Sequence, residues 1–135
     1  MEKILEIAAI EAAAFPTNAL SAAEIYFMEE NPGYEILTEG RDAVEAYLIL
    51  FDTIEAWEMI KLATRADCRK KGLATRLLAK AKAMGKEKIF LEVRQSHGDT
   101  IRFYEKNGFR TLSLRKNYYR DTNENAVIMV YEKKG

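Results

Sequence analysis

A single cysteine, Cys68, excludes an internal disulfide and a cysteine-rich zinc site. Only two prolines occur, and no stretch rich in proline, glycine and serine marks a linker. One domain over residues 1–135 is therefore expected. Neither sign of charge is in excess: Lys+Arg and Asp+Glu both number 21, for a formal net charge of zero. That balance argues against a dedicated nucleic-acid binder, which carries a basic surplus, while leaving room for a local basic patch. No apolar run approaches the roughly 20 residues a membrane-spanning helix needs. The segment Met1-Glu2-Lys3-Ile4-Leu5-Glu6 is amphipathic and lacks a signal-peptide pattern. With the lone thiol, this makes a cytoplasmic protein with no membrane partner the expectation. The apolar fraction of 48% is ample for a folded core.

Periodicity predicts the elements. Ile4, Ile7, Ala8 and Ala12 recur at helical spacing, giving a helix over 3–14 that Pro16 ends. Ser21 with Glu24 is a capping-box pattern opening a second helix to about Glu30. Strands are predicted at 34–38, 43–51 and 54–64. A third helix spans 72–84, with Ala74, Leu77, Leu78 and Ala81 on one face and Gly85 placed to end it in a left-handed conformation. Residues 88–94 form a strand, 99–107 a short helix closed by Gly108, and 109–114 and 126–132 two last strands. Between these, residues 115–125 form an aromatic and basic loop. The fold class is a mixed α/β (α+β) sheet, mostly antiparallel, with one central βαβ crossover.

The strongest local signal is Arg69-Lys70-Lys71-Gly72-Leu73-Ala74, between a strand and a helix. The first N–H groups of a helix have no internal acceptor, and with the helix dipole they form an anion site. Gly72 and the small Ala74 allow a diphosphate close approach, and the cations add attraction. A solvated charge run before an ordinary helix explains the stretch equally well. It matches neither a Walker loop nor the three-glycine dinucleotide fingerprint.

Context makes it more specific. Arg69 to Ala74 resembles the acetyl-CoA signature of the GCN5-related N-acetyltransferase (GNAT) superfamily. Two further blocks follow in that superfamily's order: Leu91-Glu92-Val93-Arg94-Gln95-Ser96, and Ile101 through Gly108-Phe109. Arg115-Lys116-Asn117-Tyr118-Tyr119 and Ala14-Phe15-Pro16 resemble the RimI-type branch, which acetylates the N-terminal alanine of a small-subunit ribosomal protein. The motif match is strong over residues 57–132, and the first part of the chain matches by layout. The resemblance implies the GNAT fold, with acetyl-CoA as acetyl donor at Arg69, Lys70, Lys71, Gly72, Leu73, Ala74 and Thr75. It also implies that backbone groups of Leu62, Ala63 and Thr64 lie beside the acetyl and pantetheine groups. The chain departs from the pattern at His97, where the family commonly has an asparagine contacting the pantetheine arm; His97 is the candidate contact there. The helix after Gly72 and its connection are also shorter than usual.

Amide formation from a thioester needs a neutral amine, a proton for the departing thiolate, and both held in line. An α-amine, with a pKa of about 8, is deprotonated to roughly ten per cent near neutrality, whereas a lysine requires about 3 kcal/mol more. A protein N-terminus therefore needs only a modest general base. Glu92, alternating with Leu91 and Val93, faces away from both and is the candidate base; the alternative is an ion pair with Arg94 or a lysine. In the RimI branch the matching glutamate is the proposed base. Tyr104, by the same resemblance, is the candidate proton donor to the thiolate; from the residues alone it is a core aromatic beside Ile101. Tyr118 and Tyr119 either line a groove for the acceptor's first residues or pack within a hairpin. Cys68 has no paired base and reads as passive, and no cluster has metal-ligand spacing.

The expected activity is direct acetyl transfer from acetyl-CoA to a primary amine, most specifically the N-terminal α-amine of a ribosomal protein. Rival readings are acetylation of a small-molecule amine, and a non-catalytic CoA-binding module.

Overall fold

A computed structural model describes residues 1–133. The chain begins with α1 (Glu2–Ala14) and α2 (Ala22–Glu30), followed by β1 (Tyr34–Glu39), β2 (Ala46–Asp52) and β3 (Trp57–Thr64). Then come α3 (Leu73–Lys82), β4 (Lys88–Arg94), α4 (Gly98–Lys106), β5 (Arg110–Tyr119) and β6 (Glu124–Glu132). The capping box predicted at the start of α2 is complete: the Ser21 hydroxyl accepts from Glu24 N–H, and the Glu24 carboxylate accepts from Ser21 N–H. Such a cap supplies two of the acceptors that the first turn lacks. Gly85, at φ +92, takes the left-handed conformation expected after α3.

The six strands form one sheet in the order β1-β2-β3-β4-β6-β5, antiparallel throughout except for the β3–β4 pair. The crossover between those two strands is α3, as the sequence predicts. Alternation along the strands sorts side chains to two faces. Tyr47, Ile49 and Ala63 pack beneath α1 and α2, with Ile4, Ile7, Ile10 and Ile25. Leu48, Leu50, Met59, Leu91, Val93 and Met129 pack against α3 and α4, with Leu77, Leu78 and Tyr104. Leu77 and Leu78 are fully buried, so truncating either to alanine costs about 2–5 kcal/mol.

The structure corrects three predicted boundaries. The second strand begins at Ala46 rather than 43, because Gly40 to Glu45 form a loop closed by Glu45 N–H donating to the Glu39 carbonyl at 2.8 Å. The third begins at Trp57 rather than 54. Ile54 is an exposed turn residue with φ +80, its N–H held by Asp52 Oδ1 at 2.7 Å. Residues 115–125 are not a loop. β5 continues to Tyr119, paired with Glu124, and the connection shrinks to 120–123. The run Arg115 to Tyr119 lacks apolar alternation because the whole of β5 up to Tyr118 is exposed at the sheet edge.

One irregularity matters for the cleft. The β2–β3 register shifts between Ile49, opposite Lys61, and Leu50, opposite Met59, leaving Ile60 as an extra residue. Across such a bulge the period of two breaks. Met59 and Leu62 therefore share the α3 side, and Glu58 and Lys61 share the α1 side.

Candidate active site

Strands β3 and β4 pair only at Trp57–Ile89 and Glu58–Phe90. Beyond those positions they part, and a cleft of about 790 Å³ opens between residues 58–62 of one and 91–94 of the other. It passes through the sheet from one face to the other. On the α3 and α4 side it is lined by Met59, Leu62, Leu91, Val93, His97, Thr100 and Tyr104. On the opposite side stand Glu58, Lys61, Glu92, Arg94, Tyr118 and Tyr119, with Phe15 to Asn18 from the α1–α2 connection.

At the α3 end, Gly72 is the N-cap in the left-handed conformation, with φ +78 and no side-chain cap. Lys70 is also left-handed, with φ +66. A Cβ at Gly72 would meet nothing within 4 Å, so glycine is required by the backbone angle rather than by crowding. No side chain among the described residues caps the first turn of α3. Arg69, Lys70, Lys71, Gly72 and Thr75 are exposed, Ala74 is half-buried, and Leu73 is turned into the core. Leu62 and Thr64 are half-buried on β3, and Ala63 is buried against α1. His97 is exposed as the N-cap of α4 and lines the cleft.

Glu92 lies on the open face, opposite its strand neighbours Leu91 and Val93. Its side chain is 28% exposed, and its Oε1 accepts from Arg115 Nη1 at 3.0 Å. The alternative partner Arg94 is engaged elsewhere: that guanidinium reaches Asp121, Glu124 and Thr122 and stacks 4.0 Å from the Tyr119 ring centroid. The neighbouring Glu92 carboxylate holds the Tyr118 phenol above its ordinary pKa, and Tyr119 is raised first by burial. Both tyrosines line the cleft while packing edge-to-face on each other.

Tyr104 is buried against Phe103 and Phe109, yet it lines the cleft from the face opposite Glu92. Among the described residues its hydroxyl makes one hydrogen bond, to Met59 Sδ at 3.5 Å, a weak acceptor. Burial pushes its pKa up, so the phenol keeps its proton across the working range. Cys68 is buried, and burial first pushes its thiol up, which suits the passive role expected of it.

Glu58 is a cleft residue that was not singled out from the sequence. It is exposed, shares the Glu92 face, and has no ion-pair partner among the described residues. The signal was present: like Glu92, it is a carboxylate inside an apolar strand, between Trp57 and Met59. Among the described residues no group of His, Cys, Asp and Glu is arranged to hold a metal ion, and no helix is long and apolar enough to cross a membrane.

Comparison with known proteins agrees with this geometry. The family model described as the Acetyltransferase (GNAT) family matches residues 4–109. The [ribosomal protein bS18]-alanine N-acetyltransferase of Escherichia coli (strain K12) is 30% identical over 102 residues, covering 71% of this chain and 68% of that protein. The solved structure of the ribosomal-protein-S18-alanine N-acetyltransferase from Escherichia coli matches with a TM-score of 0.82 at 24% identity, covering 98% of this chain and 90% of that one. An aminoglycoside 6'-N-acetyltransferase complexed with coenzyme A matches with a TM-score of 0.79 at 18% identity, covering 96% and 89%. The two structural likenesses are likenesses of fold.

Proposed function

Because the chain belongs to the GNAT acetyltransferase family and is an acetyl-CoA-dependent N-acetyltransferase, we propose that it acetylates a protein N-terminal α-amine, in particular the N-terminal alanine of a small-subunit ribosomal protein. The observation that carries the proposal is the cleft through the sheet, with Glu92 on one face and Tyr104 on the other.

Acetyl-CoA supplies the activated acetyl group. The open N–H groups of α3, with Arg69, Lys70 and Lys71 around Gly72, bind its pyrophosphate. Backbone groups of Leu62, Ala63 and Thr64 and the side chain of His97 line its arm. From the opposite face the acceptor amine reaches the thioester between Glu58, Glu92 and the tyrosine pair. Glu92 accepts the proton lost by the amine as the new C–N bond forms. Tyr104 donates its proton to the sulfur as the C–S bond breaks. The amine itself attacks the thioester carbon as the C–S bond breaks, so transfer is direct, without an acyl-enzyme.

The acceptor assignment rests on the relative named for bS18-alanine acetylation, on the Tyr118–Tyr119 pair, and on the modest base an α-amine requires. On this reading the enzyme works in the cytoplasm, where ribosomal proteins are made. The test is an acetyl-transfer assay with an alanine-initiated peptide and, in parallel, spermidine and an aminoglycoside. Transfer to the peptide is expected. Transfer to the small amines alone would overturn the acceptor assignment, and acetyl-CoA binding without transfer to any amine would remove Glu92 and Tyr104 from catalysis.

A further inference from the structure

The most unusual buried group in the molecule takes no part in this chemistry. Glu11, on α1, is fully buried. Its Oε1 accepts from the Tyr47 hydroxyl on β2. Its Oε2 accepts from Leu20 N–H at 2.9 Å and pairs with Lys61 Nζ at 3.1 Å. The Lys61 side chain, only 13% exposed, also sets its ammonium 3.8 Å from the Phe15 ring centroid and 3.4 Å from the Asn18 carbonyl oxygen. One carboxylate and one ammonium therefore grip the segment leaving α1 at Phe15, Asn18 and Leu20.

That segment is a wall of the cleft. Phe15, Pro16, Thr17 and Asn18 line it on the side of Glu92 and Tyr118. Stability alone gives little reason for such a pair, since an apolar pair of similar volume in a buried site is often as stable. The contacts are directional, however, and they converge on one loop. The bulge at Ile60 is what turns Lys61 toward that loop at all.

We propose that Glu11 and Lys61 form a latch that fixes the Phe15–Asn18 wall in the position that receives the acceptor. They are positioning residues for the amine substrate and not for acetyl-CoA. This rests on the reading of the cleft's open face as the acceptor side.

The test uses the full chain with Glu11→Gln and Lys61→Met combined, so that neither charge is left buried alone, and Lys61→Arg as the charge-retaining control. In the double variant, amide exchange at residues 15–20 rises tenfold or more while β4 and α4 keep their protection. With an alanine-initiated peptide, KM for the peptide rises tenfold or more and KM for acetyl-CoA stays within twofold; Lys61→Arg stays near wild type in both. Unchanged exchange at 15–20 overturns the latch whatever the acceptor is. A peptide KM that does not move, in an enzyme whose wild type uses the peptide, overturns the positioning role. A double variant that loses protection everywhere, or in which both KM values rise together, shows a general structural role and also overturns it. A wild type inactive on every amine tested is instead the failure of the functional reading.

Discussion

Replacing Glu92 with glutamine separates the chemistry at this carboxylate from its packing. Glutamine keeps the shape and an oxygen that can still accept from Arg115 Nη1, now at 3.0 Å. Arg115 is more than half exposed, and an ion pair in that setting contributes at most about 1 kcal/mol. The melting temperature is therefore expected to fall by no more than about 4 °C. Turnover falls for two reasons that pH distinguishes. A base that deprotonates the incoming ammonium gains at most about tenfold at pH 7, because an α-amine with a pKa of about 8 is already roughly one-tenth neutral. That part disappears near pH 9. A base that removes the proton during C–N bond formation contributes about another tenfold at any pH, so the two parts together reach the lower end of the usual range of general-base effects, about 10²–10⁴. Glu92→Gln should thus lower kcat about 100-fold at pH 7 and about 10-fold at pH 9. Steady-state kinetics with an alanine-initiated peptide across pH 6.5–9.5 would measure this, with KM for acetyl-CoA unchanged. A variant with wild-type kcat at pH 7 refutes the assignment. A deeper loss in Glu58→Gln than in Glu92→Gln transfers the base to the unpaired carboxylate across the cleft.

Other outcomes follow from the same geometry. Tyr104→Phe removes a hydroxyl whose one hydrogen bond among the described residues is to a thioether sulfur, so folding should persist while kcat drops by about 100-fold; a full-rate variant returns Tyr104 to the core alone. Arg69→Ala with Lys71→Ala should raise KM for acetyl-CoA several-fold and leave the acceptor KM unmoved. The wild-type KM for acetyl-CoA should rise with salt, since these cations are exposed and screened; a salt-independent KM would deny them the role. Burial raises the Tyr104 phenol, and burial with the Glu11 carboxylate raises Tyr47. The unfolded chain loses these protons near pH 10 and the folded chain only above it. The stability involved is complete below pH 10 and is lost as pH rises toward the folded values. A melting temperature that held constant from pH 9 to 11.5 would contradict this.

The sequence showed much of the fold because several signals were local. The Ser21–Glu24 box, the left-handed Gly85 and the clean alternation of residues 88–94 each depend on neighbours within a few positions, and all are present in the structure. The misjudged boundaries depended on distant partners. Ile54 reads as strand by composition but lies in a turn fixed by Asp52. Arg115 to Tyr119 read as loop, yet pairing with β6 makes it strand. The Arg69–Ala74 run was legible as a motif, whereas the cleft was not, since no short-range pattern reports where two parallel strands stop pairing. The bulge at Ile60 hid the sidedness of Glu58 and Lys61, because counting by twos across it gives the wrong face. Nothing local marks Glu11; its burial exists only once Tyr47, Lys61 and Leu20 surround it.

The parting of β3 and β4 after Glu58 and Phe90 also bears on how the empty protein behaves. It leaves two raw edges in the middle of a sheet, where a continuous ladder would otherwise satisfy every backbone donor and acceptor. Exposed edges of this kind are normally covered or blunted because they recruit any extended chain. A gap between two unpaired strand edges suits a slender, extended molecule bearing amides, which can pair with both. On the proposed reading the arm of acetyl-CoA would act as a removable strand, and loading it would repair the sheet. Since such a guest binds the folded chain and not the unfolded one, saturation to about 100 times Kd should add about 2.7 kcal/mol of stability. The enzyme would be at its sturdiest when charged with acetyl-CoA, and most open to misassociation in the interval after each product leaves.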